Sequence, residues 1–392
     1  MQLPPALLEN WMRYYYFDVD VDIGSSGVDD FSMVDLRRLL GLTEADFDRV
    51  VFHDSMSLGG DGLRRALADR WLGGDASRAM ATHGSSEANF LMDHALLRPG
   101  DEVVVLDPCY PQLYAVAEAL GCTLKHWRLR PENGFVPDVE EGVRLIGPRT
   151  RMVVVNFPHN PTGATVTPAE QDALIAACDR AGAYLVWDNA FLELVYDAPP
   201  LPEPVLKYER AISTGTFSKS YGLPGLRVGW CFAAPEILEQ MIRVRDYVTL
   251  HLSPLVEMIA ERAVDRADRL LEERVGLARH NRGVLAGWME EHADLVSWAP
   301  PAGGVTAFPR LDAVPDVEAF CHALAREQRV LLVPGNCFGH PQHVRLGFGR
   351  TTAALEEGLS RLSRQLRAVA SSAAERGREE EEGVLPGGVH LV

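Results

Sequence analysis

Residues 214–230, TGTFSKSYGLPGLRVGW, put the hydroxyls of Thr216 and Ser218, the amine of Lys219 and the guanidinium of Arg227 close together in sequence. Pro224-Gly225 lets the chain turn back so that Arg227 faces the lysine. Two hydroxyls, an amine and a guanidinium in that order suit a phosphate cradle beside a nucleophilic amine. Upstream, His83-Gly84-Ser85-Ser86-Glu87-Ala88 precedes an amphipathic helix, so the amides of Ser85 and Ser86 can hold an anion at a helix N-terminus. The stretch YLVWDNAFLELVYD (184–197) reads as a buried strand, yet Asp188 and Asn189 stand inside it. A carboxylate there needs a strand end or a cationic partner. Taken one at a time these features have plainer readings, as do Tyr110, the NPTG turn at 160–163 and Arg345: a surface lysine, a Ser cap, a packing aromatic, a turn, a surface charge.

The elements that must position these groups are legible between about residues 60 and 250. Short β-rich runs, EVVVLD (102–107), RMVVVNF (151–157), YLVWD (184–188) and AISTGTF (211–217), alternate with helical segments such as SEANFLMDHALL and PAEQDALIAACDRAGA. That alternation predicts an α/β fold with a mainly parallel sheet covered by helices on both faces. Each run ends in polar or special residues, and ligands in such sheets bind beyond the carboxyl ends of the strands, so the four ends are expected to converge on one crevice. After about residue 255 a long helical stretch rich in Arg and Glu leads into GGVTAFPR (303–310), a helix near DVEAFCHALAREQ, and the strands VLLVPG and VRLGFG, which predict a smaller α/β lobe. The expected organisation is an N-terminal segment over the site and joined to the small lobe (1–45), a large domain (46–280), a small domain (281–370) and a disordered tail (371–392) whose acidic block and glycines cannot build a core.

The chain has 392 residues and a formal net charge of -17, which would repel nucleic acid and anionic membrane surfaces. Six scattered cysteines form no CxxC pair and no metal-ligand cluster, so they read as reduced thiols of a cytoplasmic protein with no metal site. The N-terminus lacks the pattern of a signal peptide, and no stretch is apolar enough to span a membrane.

The lysine region resembles that of fold-type I pyridoxal-phosphate enzymes, the aspartate aminotransferase superfamily, and the likeness runs along nearly the whole chain. The resemblance implies a seven-stranded, mainly parallel sheet in the large domain, a homodimer and pyridoxal 5'-phosphate as cofactor. It implies that Lys219 carries the cofactor and moves the substrate Cα proton, while Ser85, Ser86, Thr216, Ser218 and Arg227 hold the phosphate. Tyr110 is then the ring stacked on the pyridine, Asn160 of NPTG binds the phenolic oxygen, and Asp188 keeps the pyridine nitrogen protonated. Arg345 of HVRLGFG is the grip for the α-carboxylate of a small amino-acid substrate. The chain departs from the superfamily in two places. Asp188-Asn189-Ala190-Phe191 replaces the usual Asp-x-Ala-Tyr, and residues 53–67 lack a tyrosine that commonly reaches a phosphate across the dimer interface.

Longer strings, among them DIGSSGVDDFS (22–32), LRPENGFVPD (129–138) and RDYVTLHLSPLVE (245–257), resemble the capreomycidine synthases of cyclic-guanidine antibiotic pathways. That resemblance implies dehydration and ring closure of 3-hydroxy-L-arginine, or of a further hydroxylated arginine. A guanidinium substrate wants carboxylates beyond the α-carbon, for which Asp29 and Asp30 are the candidates, against their reading as solvated acids before a helix. His251 reads either as packing or as a group approaching from the partner subunit. Two competing readings stand beside the cyclase: an ordinary aminotransferase, and a noncatalytic cofactor-binding domain of a regulator, for which neither a fused DNA-binding module nor a basic face is visible.

Overall fold

The computed structural model describes residues 2–383, with side chains through residue 371. Seven strands form one sheet: β1 Ala79–Thr82, β2 Glu102–Asp107, β3 Thr123–Arg128, β4 Thr150–Asn156, β5 Tyr184–Asp188, β6 Ala211–Thr216 and β7 Gly229–Ala233. Their spatial order is β1-β7-β6-β5-β4-β2-β3. Only β7 runs against its neighbours. The four apolar runs read from the sequence are β2, β4, β5 and β6, side by side in the middle of the sheet. They are buried on both faces, which is why they read as near-continuous apolar runs.

Register brings their ends together. Asn156, last in β4, pairs with Asp188, last in β5, and Asp188 pairs with Thr214 of β6. Asp188 is therefore a strand-end residue and not a mid-strand one. The helices expected after β1 and β4 are found at Gly84–Leu96 and Pro168–Ala181; the second starts with a Thr167–Glu170 capping box and stops at Gly182 in the left-handed conformation.

The small lobe holds a three-stranded sheet of Thr306–Ala307, Val344–Gly347 and Val333–Pro334, with the helix Val317–Glu327 packed beside it. The N-terminal segment is part of this lobe. Val21–Asp22 pairs with Val330–Leu331, and the Trp11 indole donates to Leu332 O at 3.0 Å. One 25-residue helix, Ala267–Glu291, crosses the expected boundary at 280 unbroken and so joins the two lobes. The last helix, Thr352–Gly383, runs through residues 371–383 of the segment read as a disordered tail; residues 384–392 lie outside the described residues. Among the described residues no helix is long and apolar enough to cross a membrane.

Candidate active site

A cavity of about 400 Å³ opens at the carboxyl ends of β4, β5 and β6, between the sheet and the N-terminal segment. Of the candidate site residues, Ser85, Ser86, Tyr110, Asn160, Asp188, Thr216, Ser218, Lys219, Arg227, Arg345 and Asp30 line it; Asp29 does not.

At one end lie the hydroxyls and the guanidinium. Thr216 Oγ1 donates to Ser218 Oγ at 3.0 Å, and Arg227 Nη1 approaches the same Ser218 oxygen at 3.4 Å. Arg227 has a positive φ of 54°, and its guanidinium packs so closely over Gly84 that a Cβ added there would sit 2.7 Å from Nη2. A Cβ on Gly229 would fall 2.8 Å from the Ser85 amide nitrogen. Glycine at both places keeps the helix start, the strand and the guanidinium within one cradle. It offers cationic and hydroxyl donors with no carboxylate among them, which is the donor set a phosphate dianion needs.

Asp188 lies deeper. Its Oδ1 accepts from the Ala190 amide at 2.9 Å, leaving Oδ2 without a donor among the described residues. Burial pushes its carboxyl up to about 6, opposed by that amide and by Lys219. The carboxylate thus lacks the cationic partner that burial demands, and a protonated pyridine nitrogen supplies one. Lys219 is pushed down to about 8 by burial and by the Arg345 charge, with Glu9 and Asp188 acting the other way. Its Nζ donates to Ser26 Oγ at 2.9 Å. Arg345, 2% exposed, donates from Nε to Gly24 O at 3.1 Å and from Nη1 to Asn160 Oδ1 at 3.3 Å. Burial lowers its pKa, so a carboxylate brought to it meets a poorly compensated cation.

Phe191 is buried on the cavity wall, where the departure from Asp-x-Ala-Tyr removes a hydroxyl. Behind it, the buried Glu203 accepts from Asn189 Nδ2 at 2.9 Å and from Ser213 Oγ at 2.5 Å, anchoring the residue next to Asp188. His251 pairs with Asp54 at 3.1 Å and is not among the cavity-lining residues. Asp29 and Asp30 each stand 3.7 Å from Arg350 Nη1, and Asp22 lies 3.2 Å from Nη2. These two acids therefore already face a cation of the chain itself. A carboxylate that sequence reading missed is Glu9, from the first helix, Leu7–Tyr15. It lines the cavity and accepts from the Tyr110 hydroxyl at 2.8 Å. Ser26 was missed as well. It lies in the DIGSSGVDDFS string, where the GSSG run marks a tight turn and by itself nothing chemical.

The family model for aminotransferase class I and II matches residues 58–362. The chain belongs to that family. Membership brings pyridoxal phosphate, and the hydroxyl and guanidinium cradle, the lysine and the Asp188 Oδ2, free among the described residues, fit it. Capreomycidine synthase of Streptomyces vinaceus is 46% identical over 368 residues, covering 93% of this chain and 94% of that protein. The crystal structure of the PLP-dependent cyclase OrfR superposes with a TM-score of 0.89 at 44% identity, over 94% of this chain and 98% of that one. Arginine–pyruvate transaminase AruH of Pseudomonas aeruginosa is 30% identical over 298 residues, 74% of this chain and 75% of that protein. The chain is a pyridoxal-phosphate-dependent enzyme of the cyclase and lyase type within the family.

Proposed function

We propose that this chain dehydrates and cyclises 3-hydroxy-L-arginine, or a further hydroxylated arginine such as 3,4-dihydroxyarginine, to capreomycidine or a hydroxylated capreomycidine in cyclic-guanidine antibiotic biosynthesis. The observation that carries the reading is the 46% identity to capreomycidine synthase, sustained along 93% of the chain. The charge layout agrees with it. Arg345 grips the substrate α-carboxylate, and Glu9, on the N-terminal helix, offers a carboxylate to the guanidinium.

When bound, the cofactor supplies an electron sink for the pair released at Cα. Asp188 holds a proton on its ring nitrogen, and Ser85, Ser86, Thr216, Ser218 and Arg227 hold its phosphate. The Lys219 amine removes the Cα proton, and the β-hydroxyl leaves as water. A terminal guanidine nitrogen then adds to Cβ, closing a six-membered ring. Both reacting groups belong to one molecule, so only internal rotations must be frozen. Return of a proton to Cα completes the amino acid. The N-terminal segment covers the cavity and limits the water that would compete with the guanidine.

A second reading, an amino-acid aminotransferase, draws on the likeness to arginine–pyruvate transaminase. Against it stands Phe191, which lacks the hydroxyl that the superfamily's tyrosine donates to the cofactor. The protein is further proposed to act as a homodimer. Phe52, 76% exposed, and Tyr247, 93% exposed, lie on two segments tied together by the His251–Asp54 pair and by Arg245 donating to Ser57 O. Exposed aromatics on adjoining segments fit burial against a second copy.

Mass spectrometry of 3-hydroxyarginine incubated with the enzyme in deuterated water, without keto acid, tests the function. Loss of one water, retention of the α-nitrogen and one deuterium at Cα are expected. A keto-acid product, or no turnover until an acceptor is added, would refute it.

A further inference from the structure

The N-terminal turn Gly24-Ser25-Ser26-Gly27 reaches the reacting lysine itself. Ser26 is buried, lines the cavity and takes the hydrogen bond from Lys219 Nζ at 2.9 Å. The turn is held from several sides. Asp22 Oδ1 accepts from the amides of Gly24 and Ser25, each at 2.9 Å, and Gly24 O accepts from Arg345 Nε. A Cβ on Gly349 would lie 2.4 Å from Gly27 O, so the segment just after the strand Val344–Gly347 presses directly on the turn. The turn that carries Ser26 is therefore held in part by Arg345, the proposed carboxylate grip.

A serine hydroxyl accepts and donates at once. Here the lone pair is engaged by the amine, while among the described residues no acceptor takes the Ser26 proton. The neighbouring Ser25 hydroxyl is likewise buried without a partner. The Ser26 proton is thus available to whatever oxygen occupies the cavity.

We propose that Ser26 is a catalytic residue that relays a proton from Lys219 to the hydroxyl leaving Cβ. The proposal rests on the cyclisation reading above. First the Lys219 amine takes the Cα proton: the Cα–H bond breaks, an N–H bond forms and the amine becomes an ammonium. The ammonium then gives a proton to Ser26 Oγ as the Ser26 proton passes to the β-oxygen. The Cβ–O bond breaks, its electron pair leaves with the oxygen, and the pair from Cα–H closes the Cα–Cβ double bond. Water departs, Lys219 is neutral again and Ser26 is unchanged. A relay of this kind extends the reach of one amine by about 3 Å, the length of a hydrogen bond, so it serves Cα and the oxygen on Cβ in turn.

Ser26→Ala and Ser26→Thr test it. In the holoenzyme with 3-hydroxyarginine in deuterated water, Ser26→Ala is expected to keep deuterium entry at Cα of recovered substrate within about 3-fold of the unaltered enzyme. Water loss should fall by roughly 100-fold, the scale of general acid catalysis, and Ser26→Thr should restore it. A second readout needs no turnover. The pH midpoint for labelling Lys219 with an amine reagent, in the full chain before cofactor is added, should fall in Ser26→Ala and return in Ser26→Thr, because an ammonium loses its acceptor. Exchange and water loss falling together, unchanged water loss, or an unmoved labelling midpoint overturns the relay. An unaltered enzyme that makes keto acid overturns the cyclisation reading and the relay with it, and shows this before any variant is compared.

Discussion

At the scale of single residues, the cavity divides its carboxylates by what each already faces. Asp30 faces Arg350, Asp188 is proposed to face the cofactor ring, and among the described residues Glu9 holds only the Tyr110 hydroxyl. Glu9→Gln should raise KM for the guanidino substrate about 10- to 100-fold, the scale of a lost charge-assisted contact, with a smaller change in kcat. Steady-state kinetics against the uncharged ureido analogue checks it, since the variant should lose discrimination between the two. Asp188 gives a pH prediction. Burial puts its folded-state value near 6, above the ordinary 3.8, so its contribution to the stability of the cofactor-free protein is complete below 3.8 and lost as pH rises through 6. Above that the ionised, unpartnered group costs roughly 2–3 kcal/mol. Asp188→Asn should therefore raise the Tm of the cofactor-free protein at pH 8 and leave it unchanged below pH 4, while weakening cofactor binding; thermal melts at the two pH values decide. Lys219, near 8, should take up cofactor at a rate that climbs through pH 8, as the free amine becomes available, and stopped-flow absorbance would show the midpoint. Lys219, Asp188, Asn160 and Arg227 each stand in a short run that singles them out in the sequence, and the fold brings all four to one cavity. Glu9 and Ser26 were not legible there, because their partners Tyr110 and Lys219 lie 101 and 193 positions away.

At the scale of elements, the central strands announced themselves and the outer ones did not. β2, β4, β5 and β6 are apolar throughout, whereas β3, TLKHWR, is an edge strand whose exposed, charged positions break any apolar run. β1 spans four residues and β7 follows a turn that already carried functional meaning, so neither stood out by pattern. Asp29 and Asp30 were assigned to a guanidinium from sequence because nothing local to them reveals Arg350, which comes from beyond the last small-lobe strand. That strand also sets the N-terminal turn. A Cβ on Gly347 would lie 1.9 Å from Ser25 O, a clash with backbone that no rotamer relieves. Gly347→Ala is predicted to expel the turn, removing Ser26 from Lys219 and lowering kcat/KM by more than 10-fold. Faster hydrogen exchange over residues 20–30, at an unchanged rate in the large-domain sheet, would distinguish that local release from general unfolding.

At the scale of the molecule, the site is a joint between lobes, and its proposed cofactor half belongs to the large one. Charged substitutions of the exposed aromatics, Phe52→Glu with Tyr247→Asp, should shift the protein toward monomer in sedimentation velocity without unfolding it, since neither side chain is buried in the chain. The N-terminal segment, by contrast, has its partners at the far end of the sequence. Trp11 donates to Leu332 O and Gly24 O accepts from Arg345, each pair 321 positions apart. During synthesis the large-domain sheet, complete by residue 233, can fold while the ribosome is still adding the small lobe. The first residues made must then wait for nearly the last ones before they can dock. A newly made chain therefore has the proposed phosphate cradle before it has a covered site, which leaves the lysine open to cofactor until the N-terminus finally closes over it.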